Sequence, residues 1–346
     1  MNPYVLSIIM SSLAMGTTIT LTSSHWLLAW VGLEINTLAM MPLMIKQHHP
    51  RATEATTKYF LTQASASALI LFSTLINAWT TGQWELKELS TLPSNMMTIA
   101  IMMKLGLAPM HFWLPEVMQG LNLITGLILS TWQKIAPMAL ILTIYNVLNT
   151  DLMITLGVLS IMVGGWSGLN QTQLRKIMAY SSIAHLGWMT AIIPFSPTLA
   201  MLNFMLYLIM TLAMFMMMIF LNTTKINSLT TSWPKTPALT ALSMLILLSL
   251  GGLPPMTGFV PKWMILNELS KQHISTIAIT MAISSLLSLF FYLRMAYTLS
   301  MTQSPNSTNS TTIWRHKSKK TTTQLTVMTI LSIMMLPLTP NMVPPY

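Results

Sequence analysis

The chain has 346 residues, 53% of them hydrophobic and only 7% charged, with a formal net charge of +10. Soluble domains carry roughly 25% charged residues to coat a water-facing surface, so a water-soluble globule is excluded and an all-α integral membrane protein is expected. The absence of cysteine excludes disulfides, thiolate metal sites and iron–sulfur clusters, and seven scattered acidic residues leave no carboxylate metal cage.

A spanning helix needs about 20 mostly apolar residues to cross a hydrocarbon core of about 30 Å. The start, Met1-Asn2-Pro3-Tyr4, carries neither the basic region of a secretory signal nor the Arg-rich character of a transit peptide. The first span is expected at 3–22 and the second at 25–45, with Glu34 near its middle. A third follows at 58–80, and a fourth at 96–115 that carries Lys104 and His111. The fifth, at 122–147, carries Lys134 about halfway along. Spans at 152–168, 174–194 (with His185) and 198–221 come next. Then come 237–265 (with Lys262), 274–299, and a short last span at 323–340 interrupted by Pro337. Met is used 34 times, often where Leu or Ile would pack as well, which suits flexible packing filler.

With eleven spans, the loops alternate sides and the charges separate cleanly. One side receives Lys46, Arg51, Lys58, Arg175, Lys176, Lys225, Lys235, Arg315, Lys317, Lys319 and Lys320. The other receives Lys87 between Glu85 and Glu88, then Asp151, then Lys271 with Glu268. Basic loops stay on the cytoplasmic or matrix side, which places the N-terminus there and the C-terminus opposite. The excess of lysine and arginine is then a topology signal on a phospholipid surface, and no nucleic acid partner is expected. The sequon Asn306-Ser307-Thr308 falls on the inner side and reads as chance.

Two segments about 146 residues apart resemble each other: Leu105-Gly106-Leu107-Ala108-Pro109-Met110-His111-Phe112-Trp113-Leu114-Pro115, and Gly251-Gly252-Leu253-Pro254-Pro255-Met256-Thr257-Gly258-Phe259-Val260-Pro261. Both carry a Gly/Pro pattern that a continuous helix avoids, because proline removes a backbone donor and clashes with the preceding turn. Irregular backbone at membrane depth survives only where protein or a watery cavity satisfies it. A matched pair of interrupted helices points to a transporter built from repeats. Spans four and nine run in opposite directions, so the expected architecture is an inverted repeat of two five-helix bundles plus a C-terminal helix. Its divisions are 1–147, 148–300 and 301–346. Two ordinary proline kinks are the alternative.

Glu34, Lys104, Lys134 and Lys262 sit where charge is costly, about 2.5–3.5 kcal/mol each on the insertion scale. Snorkelling to an interface is open to Lys262, whose depth beyond the second break is uncertain, but not to Lys104 or Lys134 in mid-helix. Burial favours the neutral form of an acid or an amine, and an opposite charge favours the ionised form. A Glu34–Lys104 contact would therefore be a switchable proton-releasing pair, with Lys134 and Lys262 extending it through bound water. His111 and His185 are auxiliary candidates, or hydrogen-bonded core histidines. The remaining Trp and Tyr residues read mainly as interface anchors. No nucleotide loop, flavin fingerprint or nucleophile triad is present, and the Gly pairs at 164–165 and 251–252 lack a phosphate-binding context.

The segments His25-Trp26-Leu27-Leu28-Ala29-Trp30-Val31-Gly32-Leu33-Glu34, Leu169-Asn170-Gln171-Thr172-Gln173-Leu174-Arg175-Lys176 and Ser249-Leu250-Gly251-Gly252-Leu253-Pro254-Pro255-Met256-Thr257-Gly258-Phe259 resemble the chain 2 family of NADH–ubiquinone oxidoreductase. The likeness runs along the whole chain and looks like the animal mitochondrial form, to which the heavy use of Met is suited. It implies an antiporter-like subunit in the proton-pumping arm of respiratory complex I, in the inner mitochondrial membrane. It also implies that Glu34, Lys104, Lys134 and Lys262 fall on the family's proton path: buried glutamate, broken-helix lysine, connecting lysine and second broken-helix residue. The last is a glutamate in one sister subunit. No cofactor is implied in this chain itself; NADH, FMN, iron–sulfur clusters and ubiquinone belong to partner subunits. Implied partners are other membrane-arm and accessory subunits and phospholipids such as cardiolipin. The isolated chain is not expected to be catalytic. The wider antiporter family has fourteen helices against eleven here, which suits a loss of three at the N-terminus. A stand-alone cation/proton antiporter would share the fold and the charges, and a membrane spacer is the third possibility.

Overall fold

A computed structural model describes residues 2–45, 49–233, 236–301 and 322–339. Lys46, Lys235, Arg315, Lys317, Lys319, Lys320 and the sequon at Asn306 lie outside the described residues, as does most of the 301–346 division. The described residues form helices joined by short connections, in the order α1 (Pro3–Thr22), α2 (Trp26–Met44), α3 (Pro50–Thr81), α4 (Thr91–Leu105), α5 (Trp113–Gly120), α6 (Leu123–Ser130), α7 (Trp132–Ile144), α8 (Thr150–Gly168), α9 (Leu174–Ile192), α10 (Pro197–Leu221), α11 (Ile226–Thr230), α12 (Pro237–Gly251), α13 (Phe259–Lys271), α14 (Ser275–Met301) and α15 (Thr323–Met334).

Among the described residues, seven helical stretches are long and apolar enough to cross a membrane: α1, α2, α3, α6 with α7, α8, α10 and α14. The other expected crossings are occupied differently. The span at 96–115 is the 15-residue α4 followed by the 8-residue α5. That at 237–265 is α12 followed by α13, each shorter than a bilayer. The span at 174–194 is the 19-residue α9, whose polarity is raised by Arg175, Lys176 and His185. The last is the 12-residue α15. Helix α3 begins at Pro50 rather than at 58, because Pro at the first position is preorganised for a helix and His49 caps it by accepting from the Arg51 N–H at 3.2 Å.

Two helix breaks share their local geometry. Helix α4 ends at Gly106 (φ 80°) and α12 at Gly252 (φ 79°), the same position in the two repeated segments. In each, the next residue's N–H returns to a carbonyl one turn back, Leu107 to Met102 and Leu253 to Leu248. The left-handed conformation is where glycine is needed.

The expected span at 122–147 is present as one crossing, Leu123–Ile144, with a local break inside it that the sequence did not announce. Thr131 (φ −115°, ψ −69°) separates α6 from α7. The Lys134 N–H bonds the Thr131 carbonyl at 3.3 Å rather than that of Ser130, and Pro137 on the next turn has no N–H to give. The Ser130 carbonyl is thereby freed from the helix ladder.

Helices α8 and α9 pack at backbone contact through Gly157, Gly164 and Gly187, the small-residue packing favoured in lipid. Large apolar side chains such as Phe72, Trp79 (92% exposed), Trp166 and Ile283 face outward. A soluble monomer does not carry such a surface, and hydrocarbon is its solvent. Arg51, Lys58 and Lys176 line one common cavity, and Arg51 and Arg175 line a second. The basic loops before α3 and α9 therefore share one end of the bundle.

Candidate functional site

Of the expected charges, Lys104 and Lys134 are buried, Lys262 is partly buried, and Glu34 has a buried carboxylate oxygen. Lys104 sits in the last turn of α4, 6% exposed, and its Nζ has no hydrogen-bond partner. Glu34 on α2 likewise has a buried carboxylate oxygen without a partner. The expected Glu34–Lys104 contact is not formed: the two charges attract through space but are not an ion pair. Helix α3 is the physical reason. It packs against both α2 and α4, with Tyr59 near Glu34 and the Gln63 amide donating to the Lys104 carbonyl at 3.5 Å.

Lys104 and Lys134 line one cavity between α2, α3, α4 and α7, which Asn36, Gln63 and Gln133 line as well. It leaves a water molecule's centre about 20 Å³ of free space, more than one water needs. Both side-chain amide atoms of Asn36 are buried without a protein partner, and the Gln133 amide donates to the Asn36 main-chain carbonyl at 3.3 Å. A cavity walled by two amines and three carboxamides is roomy and polar enough for ordered water.

Beyond the cavity, Lys134 (3% exposed) donates from Nζ to the Tyr207 hydroxyl at 3.0 Å and lies 5.1 Å from the centre of that ring. Tyr207 in turn donates to the freed Ser130 carbonyl at 3.3 Å. The break at Thr131 thus supplies the acceptor that fixes Tyr207, which fixes Lys134. The buried His185 ring stands 5.5 Å from the Tyr207 ring, near the Leu250 carbonyl and within electrostatic reach of both Lys262 and Lys134. Lys262, partly buried, donates to the Gly251 carbonyl at 2.8 Å and so caps the open end of α12.

The structure therefore brings Lys104 and Lys134 to one cavity, with Glu34 acting on Lys104 through space, and leaves His185 within electrostatic reach of both Lys134 and Lys262. His111 stands apart. It is buried in the first break, with Nδ1 3.1 Å from the Pro109 carbonyl and its ring 4.1 Å from that of Phe112. Among the described residues, no three of His, Asp and Glu gather as a metal site would require.

Sequence reasoning missed Tyr207, Asn36, Gln63 and Gln133. The expectation that Tyr and Trp are interface anchors fails for Tyr59, Tyr207, Tyr292, Trp26, Trp113 and Trp188, all buried in the protein. The mid-span position of Tyr207, ten residues after Pro197, was the available signal. Tyr207→Phe removes the acceptor of a charged hydrogen bond worth about 1.5–3 kcal/mol. Coupled turnover of the assembled complex should fall several-fold, measured as uncoupler-sensitive NADH oxidation, whereas an unaltered rate would mean Tyr207 only packs.

Residues 23–288 match the family model described as NADH:quinone oxidoreductase/Mrp antiporter, TM, and residues 289–343 match that of the NADH dehydrogenase subunit 2 C-terminus. The chain is 60% identical over 341 residues to NADH-ubiquinone oxidoreductase chain 2 of Xenopus laevis, covering 98% of this chain and 99% of that one. It is 59% identical over 342 residues to the same chain of Squalus acanthias, covering 99% and 98%. In structure it resembles a chain of respiratory complex I from Thermus thermophilus (TM-score 0.83, 24% identity, 96% of this chain and 80% of that one). It also resembles a chain of the Mrp complex from Dietzia (TM-score 0.84, 14% identity, covering 96% and 74%). At these identities the structural likeness is one of fold.

Proposed function

Because the chain belongs to the NADH–ubiquinone oxidoreductase chain 2 family, we propose that it moves protons along the line Glu34, Lys104, Lys134, His185, Lys262. It is a multi-pass membrane-arm subunit of proton-pumping NADH:ubiquinone oxidoreductase and works with the other subunits of that complex. The observation that supports the relay is the cavity shared by Lys104 and Lys134, joined through the Lys134–Tyr207 bond to a His185 ring that lies within electrostatic reach of Lys262.

In this relay, a proton on Lys104 is held there partly by the Glu34 carboxylate. When that attraction weakens, the proton crosses the cavity, by way of water ordered on Asn36 and Gln133, to Lys134. Tyr207 holds the Lys134 amine in place, and His185 bridges the remaining distance to Lys262. His111, bound to its own break, is a minor auxiliary at most. Moving one charge against 100 mV costs roughly 2.3 kcal/mol, so the driving force comes from redox chemistry in other subunits. In this reading NADH, FMN, iron–sulfur clusters and ubiquinone are handled by those partners, which for the clusters agrees with the lack of cysteine here, and the isolated chain should carry out no NADH oxidation.

The two matched Gly-capped breaks support eleven crossings arranged as an inverted repeat, 1–147 against 148–300, with a further helix in 301–346. The gathering of basic residues at one bundle end supports an N-terminus on the matrix side of the mitochondrial inner membrane and a C-terminus on the other side. Phospholipids such as cardiolipin then face the basic end.

Lys262→Met in the reconstituted complex tests the far end of the relay. Proton uptake and coupled NADH oxidation should fall together several-fold with assembly intact, and pumping at the wild-type ratio would remove Lys262 from the path. A stand-alone antiporter is separated by the isolated chain in liposomes, which should exchange neither Na⁺ nor K⁺ for protons.

A further inference from the structure

Away from the polar line, the helix ends at the basic end of the bundle enclose a cavity of about 200 Å³. It is lined by His49 and Arg51 at the start of α3, Gln119 and Gly120 at the end of α5, Asn122 before α6, and Arg175 at the start of α9. Among the described residues, none that lines it carries a carboxylate. Arg51 and Arg175 are close enough to repel one another. Arg175 is anchored through one guanidinium nitrogen to the Leu121 carbonyl, yet its Nε is buried with no partner. Arg51 also borders a neighbouring cavity that does contain carboxylates, Glu54 and Glu116. Both are bound by Lys58, at 2.7 and 2.6 Å.

Two guanidiniums lining one partly enclosed site cost Coulomb energy, which an anion between them offsets. The starts of α3, α6 and α9 converge there and add the positive ends of their dipoles. Guanidinium forks match the oxygen spacing of a phosphate, and phosphate is the anion most concentrated at a bilayer surface. Met44 and Ala52 complete the wall, giving apolar contact to a glycerol or acyl stem.

We propose that this cavity binds the phosphate of a membrane phospholipid headgroup between Arg51 and Arg175. The site locks the start of α3 to the start of α9 and is independent of the proton relay. A phosphate group from lipid and free phosphate share this chemistry, and an electron cryo-microscopy map of the intact complex, purified in mild detergent, separates them. A phosphate-sized peak should lie within hydrogen-bonding distance of both guanidiniums, with density running from it into acyl chains. An isolated tetrahedral peak overturns the lipid as source. A carboxylate from a neighbouring subunit, or water alone, overturns the site. Arg51→Gln leaves the Arg175–Leu121 anchor in place, so it should lose the peak and one phospholipid phosphorus per complex while NADH oxidation is unchanged. An undiminished peak overturns the assignment to Arg51. Should Arg51→Gln fail to assemble, Arg51→Lys keeps the charge without the fork, and the peak should weaken; a peak at full strength counts against the guanidinium grip.

Discussion

Lys134→Met should abolish redox-driven proton uptake in the assembled complex and lower coupled NADH oxidation at least tenfold. The prediction rests on three contacts of one amine: it borders the cavity shared with Lys104, it donates to Tyr207, and it is within electrostatic reach of His185. In the proposed relay, Lys134 is the proton carrier common to both halves of the line. Assembly should survive, because Met has a similar length and removes the cost of burying an amine whose bond is to a neutral hydroxyl. Tyr207 also keeps its bond to the Ser130 carbonyl. Proton uptake by vesicles and NADH oxidation, measured on the same preparation, check it. Full pumping by a complex with Met at this position would mean that the relay passes elsewhere.

Gly187→Leu should have the largest structural effect. A Cβ at this position meets the Gly157 carbonyl at 2.7 Å and Ile161 at 2.8 Å, both on α8, and it also collides with the Ser160 hydroxyl. A backbone carbonyl cannot rotate away as a side chain does, so α8 and α9 must separate. Overpacking of this kind costs about 3 kcal/mol, and α9 also carries His185. The complex should assemble poorly, with a membrane arm that dissociates at lower temperature on native gels. Normal yield and unchanged melting would show that the two helices are free to move apart.

Part of this arrangement was legible in the residues and part was not. The breaks at Gly106 and Gly252 could be read because a left-handed cap and flanking prolines leave a sequence trace. The break at Thr131 could not, since Ser130-Thr131-Trp132 contains neither glycine nor proline and only Pro137 hints at it. Buried charge was legible from depth alone, which identified Lys104 and Lys134. Depth says nothing about rotation or about what packs between two helices. The direct Glu34–Lys104 pair was therefore expected, whereas α3 packs against both helices with Tyr59 and Gln63. The carboxamides and Tyr207 carry no charge, so their burial cost does not stand out against an apolar span, and only the cavity reveals them.

In the proposed relay, Glu34 controls the proton on Lys104 without touching it. The direct measurement is redox-driven proton pumping by the reconstituted whole complex carrying Glu34→Gln, with electron transfer followed in parallel. The account predicts that pumping and coupled turnover both fall severely while the complex assembles normally. Pumping and turnover at wild-type levels would contradict it, and would make the buried charges structural.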